Sequence, residues 1–198
     1  MDLTSLSKKI KTCFIREYTA ADREACLAIR ASNVPEFFSP EGAENFEEFL
    51  SVGTSYLLVV VKDSKVIACG GLVLRGEGPV AALVNGMVHR DYHGQGYGST
   101  LLATRLSLIE VEEEPVTVFL ETNSAGAPFF GQFGFGLHSV KKNLHGDGED
   151  YGQLTLKIDQ EEVTALRGWL TEKGVQIELS DPPALDGMEI PEEEWMEE

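Results

Sequence analysis

The spacing of apolar residues changes along the chain and predicts an ordered series of strands and helices. Runs of β-branched and aromatic residues predict strands over residues 13–18, 56–62, 66–74, 81–88, 116–122, 138–142 and 153–158. Apolar residues at helical spacing predict helices over residues 19–32 and 40–52, after residue 98, and around Val163, Leu166 and Leu170. The chain therefore mixes strands and helices throughout, as α/β and α+β domains do.

The length and the composition agree with a globular protein. A chain of 198 residues suits one domain with a sizeable core plus an appendage. No apolar run approaches the length that spans a bilayer, and residues 1–11 lack the apolar stretch of a signal peptide. The cysteines, Cys13, Cys26 and Cys69, are odd in number and lie among apolar neighbours. We therefore expect reduced core thiols, no metal site and a cytoplasmic protein without membrane contact.

Negative charge is concentrated at the end of the chain. The formal net charge is −17, and residues 159–198 alone hold 13 acidic and 2 basic residues. Nucleic-acid binding by a basic patch is therefore not expected, and a polyanionic ligand must be bound locally. Cationic acceptors are favoured electrostatically. We interpret the acidic end as a helix followed by a loosely ordered tail; a lid or homodimer arm carrying Trp169 and Trp195 is the alternative.

The segment after the strand at 81–88 carries the clearest chemical signal. Gly94, Gly96 and Gly98 lie directly before a helix whose apolar face is formed by Leu101, Leu102, Leu106 and Ile109. Glycines permit positive φ and a close approach of the backbone to a ligand. The following helix adds unpaired N–H groups and the positive end of its dipole. The sequence therefore predicts a phosphate cradle made of main chain.

Other known phosphate loops do not fit this segment. The dinucleotide fingerprint requires its third glycine one residue after Gly98, where the chain has Ser99. A Walker A loop requires a lysine before the Ser or Thr, and none is present. The protein-kinase set is incomplete, since neither V-A-I-K nor D-F-G occurs. The loop instead resembles the acetyl-CoA pyrophosphate loop of the GNAT acetyltransferase superfamily, Gln/Arg-x-x-Gly-x-Gly/Ala, with His93 at its first position.

A second segment strengthens the resemblance. The family's second motif is similar to Asn-x-x-Ala-x-x-x-Tyr-x-x-x-Gly-Phe, and Asn123, Gly134 and Phe135 match it in register. Gly126 replaces the Ala and Phe130 replaces the Tyr. Because two motifs occur in the right order with a helix and a strand between them, the resemblance is specific.

The resemblance implies an α/β (α+β) fold with a GNAT-like mixed, mostly antiparallel central sheet flanked by helices over residues 12–158. Residues 159–198 then form an acidic C-terminal extension that is helical at first. It also implies that acetyl-CoA donates an acetyl group to an amine acceptor by direct attack in a ternary complex. The backbone N–H of Val88 would stabilise the oxyanion. The implied cofactor-binding residues are Met87, Val88, His93, Gly94, Gln95, Gly96, Tyr97, Gly98, Ser99, Asn123 and Phe130.

Acid–base chemistry is where this sequence departs from the family. Many relatives use the motif Tyr to protonate the departing thiolate, and Phe130 has no hydroxyl. We interpret Phe130 as a packing residue over the pantetheine arm. A thiol has a pKa near 8.5, so a thiolate can leave near neutrality with the help of solvent. Glu121 is the nearest acidic candidate for the general base, and a surface carboxylate at a strand end is the alternative interpretation.

Two functions from different classes remain open. The first is an N-acetyltransferase that acts on a small-molecule or peptide amine. The second is an acyl-CoA-binding or sensing module with little catalysis, which Phe130 favours. Acceptor choice is expected from loops, here residues 33–38 and the acidic loop at residues 143–151.

Overall fold

In the computed structural model, which describes residues 3–52, 56–74, 79–144 and 148–180, the chain folds around an eight-stranded sheet. The strands are β1 (Phe14–Glu17), β2 (Tyr56–Lys62), β3 (Lys65–Leu74), β4 (Val80–Val88), β5 (Val116–Thr122), β6 (Gly136–Lys142), β7 (Asp150–Ile158) and β8 (Gln176–Glu178). Their order across the sheet is β6-β7-β5-β4-β3-β2-β1-β8. The helices are α1 (Thr4–Ser7), α2 (Arg23–Ser32), α3 (Ala43–Val52), α4 (Tyr97–Ser107), α5 (Ala127–Gly131) and α6 (Gln160–Glu172).

Most neighbouring strands are antiparallel, and two pairs are parallel. β4 runs parallel to β5, and β1 runs parallel to β8. The β2–β3 hairpin closes through Asp63 and Ser64, whose φ values of 49° and 62° are the positive pair that a type I′ turn requires. The predicted mixed, mostly antiparallel sheet flanked by helices is confirmed.

Helices cover both faces of the sheet. α4 and α6 pack together on one face, where Leu106 and Leu166 are fully buried. α2 and α3 cover the other face through Ile29 and Phe46. Since burial of a leucine or phenylalanine contributes about 1.5–3 kcal/mol, these layers fix the position of the central strands.

The C-terminal segment up to residue 180 joins the same core. α6 begins with a capping box, in which the N–H of Glu162 donates to Asp159 Oδ1 at 2.9 Å and the N–H of Asp159 donates to Glu162 Oε2 at 3.0 Å. Gly174, with φ +66°, reverses the chain after the helix. β8 then pairs with β1, and the N–H of Gln176 donates to the carbonyl of Cys13 at 3.0 Å.

Some boundaries differ from the sequence-based expectation. α4 ends at Ser107, so Ile109 lies in the turn that follows, where its N–H donates to the carbonyl of Leu106. The segment between β3 and β4 at residues 75–78, and the acidic tail from residue 181 that includes Trp195, lie outside the described residues. Within the described ranges, each helix is too short or too polar to cross a bilayer.

Candidate active site

A cleft opens in the centre of the sheet, where two parallel strands diverge. β4 and β5 pair only from Val80 to Ala82. Beyond Ala82, β4 remains paired with β3 and β5 remains paired with β7. The gap between the two strands belongs to a cavity of about 1170 Å³. The divergence of the two strands therefore gives a long, narrow ligand access to the middle of the sheet.

The glycine loop borders this cavity and continues directly into α4. Gly94 and Gly96 have φ values of 70° and 94°, which other residues rarely adopt. Gly96 is the N-cap of α4 and provides no side-chain cap. The first helical hydrogen bond joins the N–H of Thr100 to the carbonyl of Gly96, so the N–H groups of residues 97–99 precede it. Unpaired N–H groups at the positive end of a helix dipole suit an anion.

Side chains from two elements hold the last residue of β4. The carbonyl oxygen of Val88 accepts a hydrogen bond from Asn33 Nδ2 at 2.8 Å, and His93 Nε2 lies 2.9 Å from the same oxygen. His93 therefore connects the glycine loop to the strand through its side chain. Asn33, which follows α2, provides a second connection that the sequence analysis did not identify.

The N–H of Val88 faces the cleft. Val88 lies directly opposite Ala68 of β3, while the N–H of the next residue, His89, donates to the carbonyl of Ile67 at 2.8 Å. In an antiparallel ladder, the residue next to such a bond directs its own N–H away from the partner strand. The pairing is interrupted two and three residues earlier by a bulge at residues 85 and 86, where Asn85 has φ +48°. The bulge reorients the backbone of β4 on its cleft side.

A lysine-rich segment forms a further wall beside the glycine loop. Residues 8–11 line the cavity together with the loop. The N–H of Lys11 donates to Thr100 Oγ1 at 2.7 Å, and the carbonyl oxygen of Lys9 lies 2.5 Å from the position that a Cβ on Gly96 would occupy. The clustering of three lysines in an acidic chain was the signal that could have identified this segment.

Asn123 contributes to the structure of the site through its side chain. Its Oδ1 accepts from the N–H of Gly126 at 3.1 Å, and its Nδ2 donates to Glu149 Oε2 at 3.2 Å and to the carbonyl of Phe37 at 3.4 Å. Because these bonds engage both ends of the amide, the side chain fixes the start of α5.

Phe130 lies on the cavity wall with its ring among other rings. The ring is edge-on to Phe129, with centroids 5.0 Å apart, and edge-on to Phe135 at 5.7 Å. Edge-to-face pairs of this kind are favourable beyond the area that they bury.

The other predicted site residues divide between the cavity and the core. Met87, Gln95, Gly98, Ser99 and Glu121 line the cavity. Tyr97 instead directs its ring into the core, where it is edge-on to Tyr92 at 6.2 Å, so only its backbone can reach a ligand in the cradle. Glu121 lies on β5 in register with Gln153 of β7.

Two buried arginines border the cavity, and no local pattern in the sequence marks either of them. Arg30 donates through Nη2 to the carbonyl of Ser39 at 2.6 Å, and burial lowers the pKa of its guanidinium. Arg105 of α4 is 3% exposed, and burial lowers its pKa to about 10. Among the described residues, no cluster of three or more His, Cys, Asp or Glu side chains could hold a metal ion.

Comparisons with known proteins agree with this geometry. The acetyltransferase (GNAT) family model matches residues 23–135. Ard1 from Thermoplasma volcanium has a TM-score of 0.61 at 18% identity, over 73% of this chain and 96% of its own. A ribosomal-protein-alanine N-acetyltransferase from Brucella melitensis has a TM-score of 0.55 at 19% identity, over 73% of this chain and 99% of its own. The structure of yncA from Salmonella typhimurium, solved with its cofactor acetyl-CoA, has a TM-score of 0.56 at 16% identity, over 76% of this chain and 96% of its own. No curated protein matches the chain in sequence.

Proposed function

Because the chain belongs to the GNAT acetyltransferase family, we propose that it transfers the acetyl group of acetyl-CoA to an amine acceptor, a small molecule or a peptide, by direct attack in a ternary complex. The observation that carries the proposal is that the glycine cradle and the cleft between β4 and β5 border the same cavity. One end of that cavity suits a pyrophosphate, and the diverging strands admit a long, narrow arm. The structural relative solved with acetyl-CoA supports the choice of donor.

The phosphate end of the donor is held by main chain and by lysines. The N–H groups of residues 97–99 form the cradle together with the loop backbone, whose turn depends on the positive φ values of Gly94 and Gly96. Lys9 and Lys11 lie beside it and add positive charge in a chain of net charge −17. Local cations lower the repulsion that a polyanionic ligand would meet at an acidic surface.

In the proposed reaction, the amine nitrogen attacks the thioester carbon, a C–N bond forms and the C–S bond breaks. The N–H of Val88 donates to the carbonyl oxygen as negative charge develops on it. The proton released by the amine passes to Glu121 or to water. The thiolate takes a proton from solvent, because Phe130 offers no hydroxyl.

The chemistry of the acceptor follows from charge. The net charge of −17 attracts cationic amines over long distances and repels anionic ones. A cytoplasmic location and a homodimer remain predictions, to be tested by fractionation and by light scattering.

An acyl-CoA-binding module with little catalysis is the second candidate. Phe130 favours it, because the position of the family's general acid holds a ring packed between Phe129 and Phe135. Release of free coenzyme A in the presence of a panel of amines separates the two functions. Tight acetyl-CoA binding without turnover on any amine would support the binding module.

Substitution of one loop glycine tests donor binding. A Cβ at Gly96 would lie 2.5 Å from the carbonyl oxygen of Lys9, so Gly96→Ala must displace the lysine segment or the loop. Gly174→Ala is the matched control, since Gly174 also has positive φ but its nearest neighbour, Thr12, is 3.8 Å from the added Cβ. Calorimetric titration should show acetyl-CoA affinity at least about tenfold weaker in Gly96→Ala and unchanged in Gly174→Ala. Equal affinities in the two variants would contradict the assigned cradle.

A further inference from the structure

Arg105 lies in a space that two glycines leave open beneath the sheet. A Cβ on Gly70 of β3 would lie 3.1 Å from its Cζ, and a Cβ on Gly86 of β4 would lie 2.7 Å from its Nη2. Its hydrogen bond to β3 is long: Nη1 donates to the carbonyl of Gly71 at 3.3 Å. Among the residues that the structure describes, none accepts a hydrogen bond from its buried Nε. The guanidinium, a planar group with five N–H donors, therefore keeps unused hydrogen-bonding capacity at its Nε.

The charge of Arg105 also lacks a counterion. Within the described part of the chain, no Asp or Glu oxygen lies within 4.0 Å of its guanidinium nitrogens. The guanidinium stays charged at neutral pH even though burial lowers its pKa to about 10. Taking a charge out of water costs several kcal/mol unless an opposite charge and hydrogen bonds compensate for it. A buried, unpaired cation on a cavity wall thus points to an anionic group of the ligand.

The position of Arg105 indicates which part of the ligand would carry this anionic group. It lines the cavity that holds the cleft between β4 and β5. It lies seven residues after Gly98 on α4, about 10 Å along the helix axis from the cradle, which separates it from the phosphates. Its Nη2 lies beside Gly86, two residues before Val88 and therefore about 6.6 Å along the strand from the proposed oxyanion donor. That spacing suits the far end of a short acyl chain.

We propose that Arg105 forms an acyl-group subsite that selects acyl-CoA donors with a terminal carboxylate, such as succinyl-CoA, over neutral acyl chains of similar size. The inference rests on the proposed donor site and extends the donor class beyond acetyl-CoA. A carboxylate carries a full charge and matches the guanidinium with two parallel hydrogen bonds. The carbonyl oxygen of a thioester carries no charge in the ground state and cannot act as the missing counterion.

Calorimetric titration with four probes tests the proposal: coenzyme A, acetyl-CoA, succinyl-CoA and valeryl-CoA, the last as a neutral chain of similar length. The native protein should bind succinyl-CoA at least about tenfold more tightly than valeryl-CoA, since charge-assisted hydrogen bonds contribute about 1.5–3 kcal/mol. Arg105→Met, with an unbranched neutral side chain, should bind succinyl-CoA and valeryl-CoA with equal affinity. Arg105→Lys should retain part of the preference for succinyl-CoA.

The possible results distinguish a failure of the acyl-group subsite from a failure of the proposed donor site. Equal affinity of the native protein for succinyl-CoA and valeryl-CoA would overturn the subsite while leaving acetyl-CoA binding intact. A preference that survives in Arg105→Met would also overturn it. Failure to bind any of the four probes would instead contradict the proposed function. If Arg105→Met does not fold, the affinities of the native protein for succinyl-CoA and valeryl-CoA still decide whether the subsite exists.

Discussion

The side-chain amide of Asn33 donates to the carbonyl oxygen of Val88 at 2.8 Å and connects the end of α2 to the last residue of β4. The same nitrogen donates to the carbonyl of Ile29 at 2.8 Å, and the residue is 2% exposed. One buried amide thus joins the end of α2 to the strand that carries the proposed oxyanion donor. Its loss should disturb the orientation of Val88 more than the binding of the donor's phosphates.

Asn33→Asp tests this connection. The substitution replaces a donor with a carboxylate that faces two carbonyl oxygens, so it removes both bonds and adds repulsion. We expect kcat to fall about tenfold with a smaller change in the KM for acetyl-CoA, because the N–H of Val88 acts on charge that develops in the transition state. Asn45→Asp makes the same change at an exposed position on the same cavity. Equal kcat values for the two variants would show that Asn33 does not position Val88.

Phe130→Tyr tests the missing general acid. The ring lies on the cavity wall between Phe129 and Phe135, and the substitution adds a hydroxyl to it at the family's general-acid position. We expect a several-fold rise in kcat below pH 8.5, where the thiolate must be protonated; general acids contribute about 10²-fold or more where no solvent route exists. Phe119→Tyr places a hydroxyl elsewhere in the same cavity and should have no such effect. An unchanged kcat in Phe130→Tyr would show that a hydroxyl at this position does not act as a general acid and that Phe130 only packs against its neighbours.

Local signals explain what the sequence could predict. The positive φ values of Gly94 and Gly96 follow from residues within one loop, as does a helix that was predicted after residue 98 and begins at Tyr97. The β2–β3 hairpin follows from two adjacent strand-like runs of residues. Both depend on neighbours in sequence, so periodicity and glycine spacing are sufficient to predict them.

Contacts between distant segments explain what it could not predict. The bond from Lys11 to Thr100 joins residues 89 positions apart, and Arg105 fits between two strands because Gly70 and Gly86 lack side chains. Asn123, whose motif predicts a cofactor-binding role that stays a prediction, lines the cavity and also holds two other segments through its amide, which its motif did not indicate. Whether a polar side chain faces a ligand or another segment depends on tertiary packing, which a single sequence does not encode locally.

Leu166→Ala tests whether α6 supports the cofactor helix. Leu166 is fully buried and packs in the core that α6 shares with α4. Loss of a buried leucine leaves a cavity and should lower the free energy of unfolding by about 2–5 kcal/mol in urea titrations. Leu137→Ala is the matched control, because Leu137 is 65% exposed and should change stability by no more than about 0.5 kcal/mol. A small effect at Leu166 would mean that α6 is dispensable for the fold.

Asp22→Asn should produce a stability loss that depends on pH. Arg16 donates to both carboxylate oxygens of Asp22, at 2.7 and 2.9 Å, and Thr19 donates its N–H at 2.8 Å. The hydrogen bond from Arg16 is the main reason that the pKa of Asp22 is lowered. A carboxyl whose pKa is lowered by folding stabilises the protein above its unfolded value, about 3.9, and loses that contribution as the pH falls through the folded value.

Urea unfolding from pH 7 to pH 3 measures the effect. The native protein should exceed Asp22→Asn in stability by about 2 kcal/mol between pH 5 and 7, and the difference should shrink below pH 4 as the native carboxyl is protonated. Asp63→Asn is the control, because the ion pair of Asp63 with Lys62 is at the surface and should contribute little at any pH. A difference for Asp22→Asn that stays constant down to pH 3 would show that its effect comes from the shape of the turn at Thr19 and not from the charge.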